Sequence, residues 1–278
     1  MAITRIQILG IGCVAALCAA VAAPAAVTAG VGDQLDLVLA GSHRNPKNSA
    51  RDANRHPKET LLFFGIQPGM TVVEVWPSAG WWTEILAPLL KERGQYYAAY
   101  YATPAKDTPD AVKEREKAFD AMLTARPDLY GKVVKTYVLA PEFVDLAPKG
   151  AADMVLTFRN VHNWAKAGNA QAMFQAFYDA LKPGGILGVK DHRAKPDTSF
   201  EVQVKTGYLT EEYVIGLAQK AGFKLVARSE INANPRDTKD HPSGVWTLPP
   251  TLALGDKDRD KYLAIGESDR MTLKFVRP

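Results

Sequence analysis

Residues 72–86, VVEVWPSAGWWTEIL, carry a β-branched apolar run, a turn and the start of a helix. In open α/β sheets a ligand commonly lies against such a turn, which is then rich in glycine. Here Trp76, Pro77, Ser78 and Ala79 come first and only Gly80 remains. The stretch is either a working ligand loop with unusual residues or a loop that has lost its ligand.

Outward from this turn, strand and helix patterns alternate. TLLFFG (60–65) reads as a helix end closed by Gly65, and residues 70–76 as a buried strand. WWTEILAPLLKERG (81–94) places apolar residues at helical spacing and stops at Gly94. QYYAAYYA (95–102) is a second strand, and residues 108–127 form an amphipathic helix opened by Thr108 and Pro109. KVVKTYVL (132–139) and ADMVLTFRN (152–160) are strands, and NAQAMFQAFYDALKPGG (169–185) is a helix with a glycine stop. ILGVKDH (186–192) is a fifth strand, LTEEYVIGLAQKAG (209–222) a helix and FKLVARSEI (223–231) a strand. A polar, Pro-containing insertion at about 232–269 precedes a last strand, RMTLKFV (270–276). Continuous apolar strands between helices predict a doubly wound, mostly parallel seven-stranded α/β sheet in one domain over 61–278. The final two strands lack a helix between them, so the last is expected to run antiparallel.

The chain has 278 residues, 47% hydrophobic and 23% charged, which suits one sizeable globular domain. Residues 1–29 are set apart from it. Arg5 precedes the uncharged run IQILGIGCVAALCAAVAA, and small residues near Ala26 and Ala29 offer cleavage sites. This is the layout of a signal peptide, which predicts a periplasmic or secreted protein with no membrane segment once it is removed. Both cysteines, Cys13 and Cys18, lie inside it, so the mature chain would have neither a disulfide nor a thiolate site. The net charge of +4 is spread among acids, as in DAVKEREKAFD, which argues against a nucleic-acid partner. Residues 30–60 are polar and rich in Asn, Arg and His, including His43, Arg44, Arg51, Arg55 and His56. By default they are solvated, but they could also fold over the strand ends as a lid with donors for an anion.

With LLFFGIQPGMTVVEVWPSAGWWTEILAPLL, ADMVLTFRNVHNW, ALKPGGILGVKDHR and YLTEEYVIGLAQKAGFKLV in this order, the chain resembles the class I S-adenosylmethionine-dependent methyltransferases. Within them it is most similar to a group of predicted exported bacterial members. The resemblance implies the Rossmann-like methyltransferase fold, S-adenosylmethionine as cofactor and a small-molecule acceptor. It sets Glu74 at the acid position of the cofactor loop, Trp76 and Ser78 where the first two glycines stand, and Gly80 at the third. At the second strand end, where the family often holds the ribose with an acid, this chain has Tyr100 and Tyr101. Residues 140–155 align with the adenine-reading segment and bring Glu142 or Asp145 to the exocyclic amine, the spacing favouring Glu142. Asn160 and His162 follow the fourth strand, where cofactor and acceptor would meet.

Each residue also has a plainer reading. Glu74 could cap the next helix without a ligand, Gly80 could mark close packing, and Trp81 and Trp82 could be core. RNVHNW (159–164) points donors into the crevice, and His162 is the candidate general base because imidazole titrates near neutrality. Asp191 and His192 end the fifth strand and would complete a polar cluster with His162. Residues 234–246 could cover the other side of the crevice, with His241 unassigned. The histidines have no metal-ligand spacing, and no phosphate-binding lysine loop or nucleophile elbow is present. The leading expectation is an exported methyltransferase acting on a small molecule. The alternative is a periplasmic ligand-binding protein that kept the architecture without the catalysis.

Overall fold

The computed structural model describes residues 1–2, 30–102 and 109–278. The expected signal peptide, both cysteines and Thr108 lie outside the described residues.

Eight strands form one sheet: β1 (Thr71–Val75), β2 (Gln95–Tyr101), β3 (Val134–Leu139), β4 (Phe143–Asp145), β5 (Ala152–Phe158), β6 (Leu181–His192), β7 (Lys224–Ser229) and β8 (Arg270–Val276). Their order is β4-β3-β2-β1-β5-β6-β8-β7. The central five, β3-β2-β1-β5-β6, are parallel. β8 inserts antiparallel between β6 and β7, the direction expected, although the connection from β7 is not free of helix as the sequence suggested: it carries the short helix Arg259–Ile265. The eighth strand is β4, three exposed residues that turn back antiparallel on β3. It is too short and too exposed to leave an alternating apolar signal, so seven strands are legible in the sequence. A second difference concerns LKPGG, expected to end a helix. The helix Ala170–Ala180 stops earlier, Leu181 is already extended, and the segment leads into β6 across a bulge.

Both faces of the sheet are covered. Val73 and Val75 of β1 point into a core built with Val161, Trp164, Phe174 and Phe177 from the helices Val161–Ala167 and Ala170–Ala180. Val72 points the other way, into a core with Phe64, Ile85, Leu86 and Phe119. Alternation along the strand sends Glu74 to that second face, where it is buried. The chain winds outward from β1 through β2 and β3 and then crosses back to β5, which puts the switch point between β1 and β5. Crevices open at the carboxyl ends of strands flanking such a point.

Candidate functional site

A cleft of about 700 Å³ lies there, lined by the ends of β1, β2, β3 and β5 and by residues of the N-terminal segment and the insertion. That volume is within the range of small-molecule and cofactor sites.

The loop after β1 has the backbone shape expected of glycines although two of them are missing. Trp76 has φ +52°, Ser78 +57° and Gly80 +87°. Left-handed backbone costs an L-residue about 1–2 kcal/mol, so this shape is held by its surroundings. For Trp76 those are visible. Its indole N–H donates to the Val138 carbonyl at 3.3 Å, and its rings meet Tyr101 and Trp164 edge-on at 4.5 and 5.3 Å. The indole therefore spans the ends of β1, β2 and β3 as a wall of the cleft and remains half-buried. Ser78 is exposed in the cleft, and its carbonyl accepts the Tyr100 hydroxyl at 2.6 Å.

Gly80 serves packing. A Cβ there would lie 2.5 Å from Met122 Cε, so the missing side chain lets the helix Asp110–Ala125 close on the loop. It does not line the cleft. Glu74 does, but one of its oxygens is occupied: Oε2 accepts the Tyr96 hydroxyl in a short hydrogen bond and the Thr83 hydroxyl at 3.1 Å. It thus ties β1 to β2 and to the helix Thr83–Leu90, and among the described residues it accepts no hydrogen bond from the helix backbone or the loop N–H groups. Burial pushes its carboxyl up to about 7 against the pull of those two hydrogen bonds. Glu142 is placed elsewhere. The tight β3–β4 turn leaves it exposed, and it is not among the cleft residues.

Asn160, His162 and Asp191 do come together. Asn160 Nδ2 donates to the Val75 carbonyl at 2.8 Å, stitching β5 to β1 beside the cleft. His162 sits in the first turn of a helix, not on the strand, and lines the cleft. Its Nδ1 is 2.9 Å from Asp191 Oδ1. Asp191 is fully buried and also accepts the His192 and His162 backbone N–H groups at 2.7 and 3.4 Å. A carboxylate at Nδ1 fixes the proton there and leaves Nε2 as the free acceptor.

His162, Asp191 and His192 place potential ligand atoms within 4.8 Å of one another. The surrounding charge argues against a cation. Arg159 Nε donates to His192 Nε2 at 3.3 Å, so the proton of His192 lies on Nδ1, which donates to Ser268 Oγ. Neither nitrogen then offers a lone pair. Burial, with Arg159 next in size, holds His192 well below the usual imidazole range, and Arg270 and Arg55 add to the effect.

These arginines belong to a group absent from the sequence reading as a group. Arg51 and Arg55, solvated by default in the sequence reading and lid donors in its alternative, line the cleft with Arg159. Arg55 is buried and lies 4.5 Å over the Trp81 ring. Lys190 and Arg270 are buried behind them. Glu267 binds Arg51 at 2.6 Å, Arg55 at 3.3 Å and Arg270 more closely. Burial would raise its carboxyl, but these cations hold it far below the usual range. The available signal was register: Lys190 interrupts the apolar run of β6, and Arg270 opens β8 beside it. From the insertion, Trp246 lines the cleft 6.1 Å from the His162 ring. His241 is buried on Asp237 at 2.9 Å, outside the cleft lining.

Many solved structures match this chain, several of them over most of its length. An S-adenosylmethionine-dependent methyltransferase from Aquifex aeolicus is 14% identical, with 89% of this chain and 98% of that one covered and a TM-score of 0.54. The fold is that of the class I methyltransferases. The [4+2]-cyclase SpnF matches with a TM-score of 0.56, 14% identity and 86% of each chain. Haemonchus contortus phosphoethanolamine N-methyltransferase 2, solved with S-adenosylmethionine, has a TM-score of 0.52 and 16% identity, covering 91% of this chain and 61% of that one. No family model and no curated protein matches the chain. At such identities the likeness is one of architecture, and a cyclase among the matches illustrates that activity does not follow from it.

Proposed function

We propose that the chain binds S-adenosylmethionine along the 74–79 loop and promotes transfer of its methyl group to a small molecule lying over His162. The observation that carries this reading is the left-handed backbone kept at Trp76 and Ser78 beside an open cleft at the switch point. Strained backbone of this kind persists where a site uses it. The cleft has room for a nucleoside and a small acceptor together. Trp76 and Tyr101 would wall the nucleoside, and Ser78 and the free Glu74 oxygen would meet its polar atoms. The cofactor supplies an electrophilic methyl on a sulfonium. His162 Nε2 would take the acceptor's proton, Asp191 would stabilise the imidazolium, and Asn160 would hold the β5 end in place against β1. General-base assistance of this kind contributes roughly 10²–10⁴-fold. The layout of residues 1–29 supports export. Among the described residues no helix is long and apolar enough to cross a membrane.

A second reading, a ligand-binding protein without methyl transfer, is favoured by the same indole, since Trp76 stands where the family pattern has glycine. Calorimetry with S-adenosylhomocysteine separates the two. The first reading expects a dissociation constant on the order of micromolar, weakened about tenfold by Trp76→Ala through loss of the wall. Absence of binding in the wild type, with binding gained in Trp76→Ala, would mean that the indole excludes the nucleoside.

A further inference from the structure

We propose that Arg51, Arg55 and Arg159 form an oxyanion subsite in the cleft, so that the small molecule held beside His162 carries a carboxylate or a phosphate. The word "acceptor" for that molecule rests on the methyl-transfer reading; the subsite itself does not.

Charge imbalance is the first argument. Arg51, Arg55 and Arg159 face the cleft, with Arg270 packed behind them. Glu267 is the carboxylate that binds Arg51, Arg55 and Arg270. Asp191 is turned to His162 and the backbone of His192. Concentrating like charge away from water is costly unless a counter-charge completes the set. Burial already drags Arg55 and Lys190 down, and brings Arg159 to about 10, with Arg270 adding to the effect at Arg159.

Arg159 supplies the second. Its backbone is left-handed, φ +64°, at the end of β5. Its Nε donates to His192, but among the described residues its two terminal nitrogens make no hydrogen bond and no ion pair. A strained residue that presents the open edge of a guanidinium to a cleft has the form of a ligand clamp. Arg55, laid on the Trp81 ring, and Arg51, anchored on Glu267, are held in place from behind. Planar forks fixed in this way suit carboxylate or phosphate oxygens.

Two molecules could bring the anion: the acceptor, or the cofactor through its own carboxylate. Arg159 directly follows β5 and His162 lies three residues on, in the first turn of the next helix, which assigns the subsite to the acceptor side.

Titrating the protein with inorganic phosphate and with S-adenosylhomocysteine tests this. Phosphate should bind and raise the melting temperature where sodium chloride at equal ionic strength does not. Arg159→Gln should weaken phosphate by about ten- to a hundredfold, the worth of a charge-assisted hydrogen bond, and leave S-adenosylhomocysteine within about twofold. Arg51→Gln should weaken phosphate as well, which covers the case in which Arg159→Gln does not fold. Phosphate acting no differently from chloride on the wild type, or binding both variants undiminished, overturns the subsite. Equal losses of phosphate and S-adenosylhomocysteine overturn its assignment to the acceptor. Arg159-dependent phosphate binding without any S-adenosylhomocysteine binding supports the subsite and removes the methyl-transfer reading.

Discussion

Trp76 and Ser78 share a backbone conformation but are held in it differently, and the difference is measurable. The Trp76 indole bonds to Val138 and packs on Tyr101 and Trp164, so interactions offset its strain. The Ser78 side chain is exposed, and no hydrogen bond from its hydroxyl to a described residue supports it. Replacing Ser78 with glycine should relieve about 1–2 kcal/mol of left-handed strain, less the 0.5–1 kcal/mol that glycine's extra freedom gives the unfolded chain. A net gain of about half to one kcal/mol is expected in urea unfolding, with an unchanged m-value. A loss would assign the hydroxyl a bond of its own. The resemblance sets the glycine positions on Trp76, Ser78 and Gly80, and all three have positive φ. It does not reveal that the backbone keeps the glycine conformation at the first two, since that depends on Val138, Tyr101 and Trp164 from distant elements.

At the scale of elements, the segment before β1 departs furthest from its appearance. Its polar composition suggests solvated chain, yet Leu35 is in the core and Arg44 and Arg55 are buried. The segment is docked at two carboxylates. Glu84, on the helix Thr83–Leu90, accepts Arg44 Nε at 3.2 Å and Asn48 Nδ2 at 2.8 Å, while its carbonyl meets His43 at 2.9 Å. Glu267 holds Arg51 and Arg55. Composition cannot signal this, because a paired buried arginine and a solvated one are the same letter. Glu84→Ala would leave Arg44 buried with Asp52 as its remaining carboxylate, at a cost of about 1.5–3 kcal/mol for the lost charge-assisted hydrogen bond. Hydrogen exchange should then quicken over residues 31–56 before it does in β1 or β5. Uniform acceleration across the sheet would show that the segment is no separate docked unit.

Across the whole molecule, the alternating pattern was enough for the parallel sheet and its antiparallel β8, because burial on both faces leaves long apolar runs. What it could not supply is the charge arrangement where three parts of the chain converge. Lys190, on β6, donates to the Arg55 carbonyl of the N-terminal segment at 3.2 Å and lies 3.4 Å from Asn232 Oδ1 of the insertion. Its ammonium nitrogen is 4.5 Å over Trp82, which stacks on Phe158 at 4.0 Å. Burial lowers its pKa well below the usual lysine value, with Arg270 and Arg55 adding to the effect. The unfolded chain keeps this lysine protonated up to about pH 10.4, so between its lowered folded-state pKa and that pH folding sheds a proton. The unfolded state binds more protons, and this lysine's contribution to stability therefore rises as pH climbs toward 10.4. Lys190→Met keeps the chain length, removes the charge and abolishes that slope. Near pH 7 the variant should be more stable by roughly 1–3 kcal/mol, after losing hydrogen bonds worth about 0.5–1.5 kcal/mol each. Measured by denaturant unfolding at successive pH values, the advantage should shrink steadily toward pH 10. A gain that stays constant with pH would mean that the ammonium remains charged in the folded protein, held there by groups other than the arginines around it.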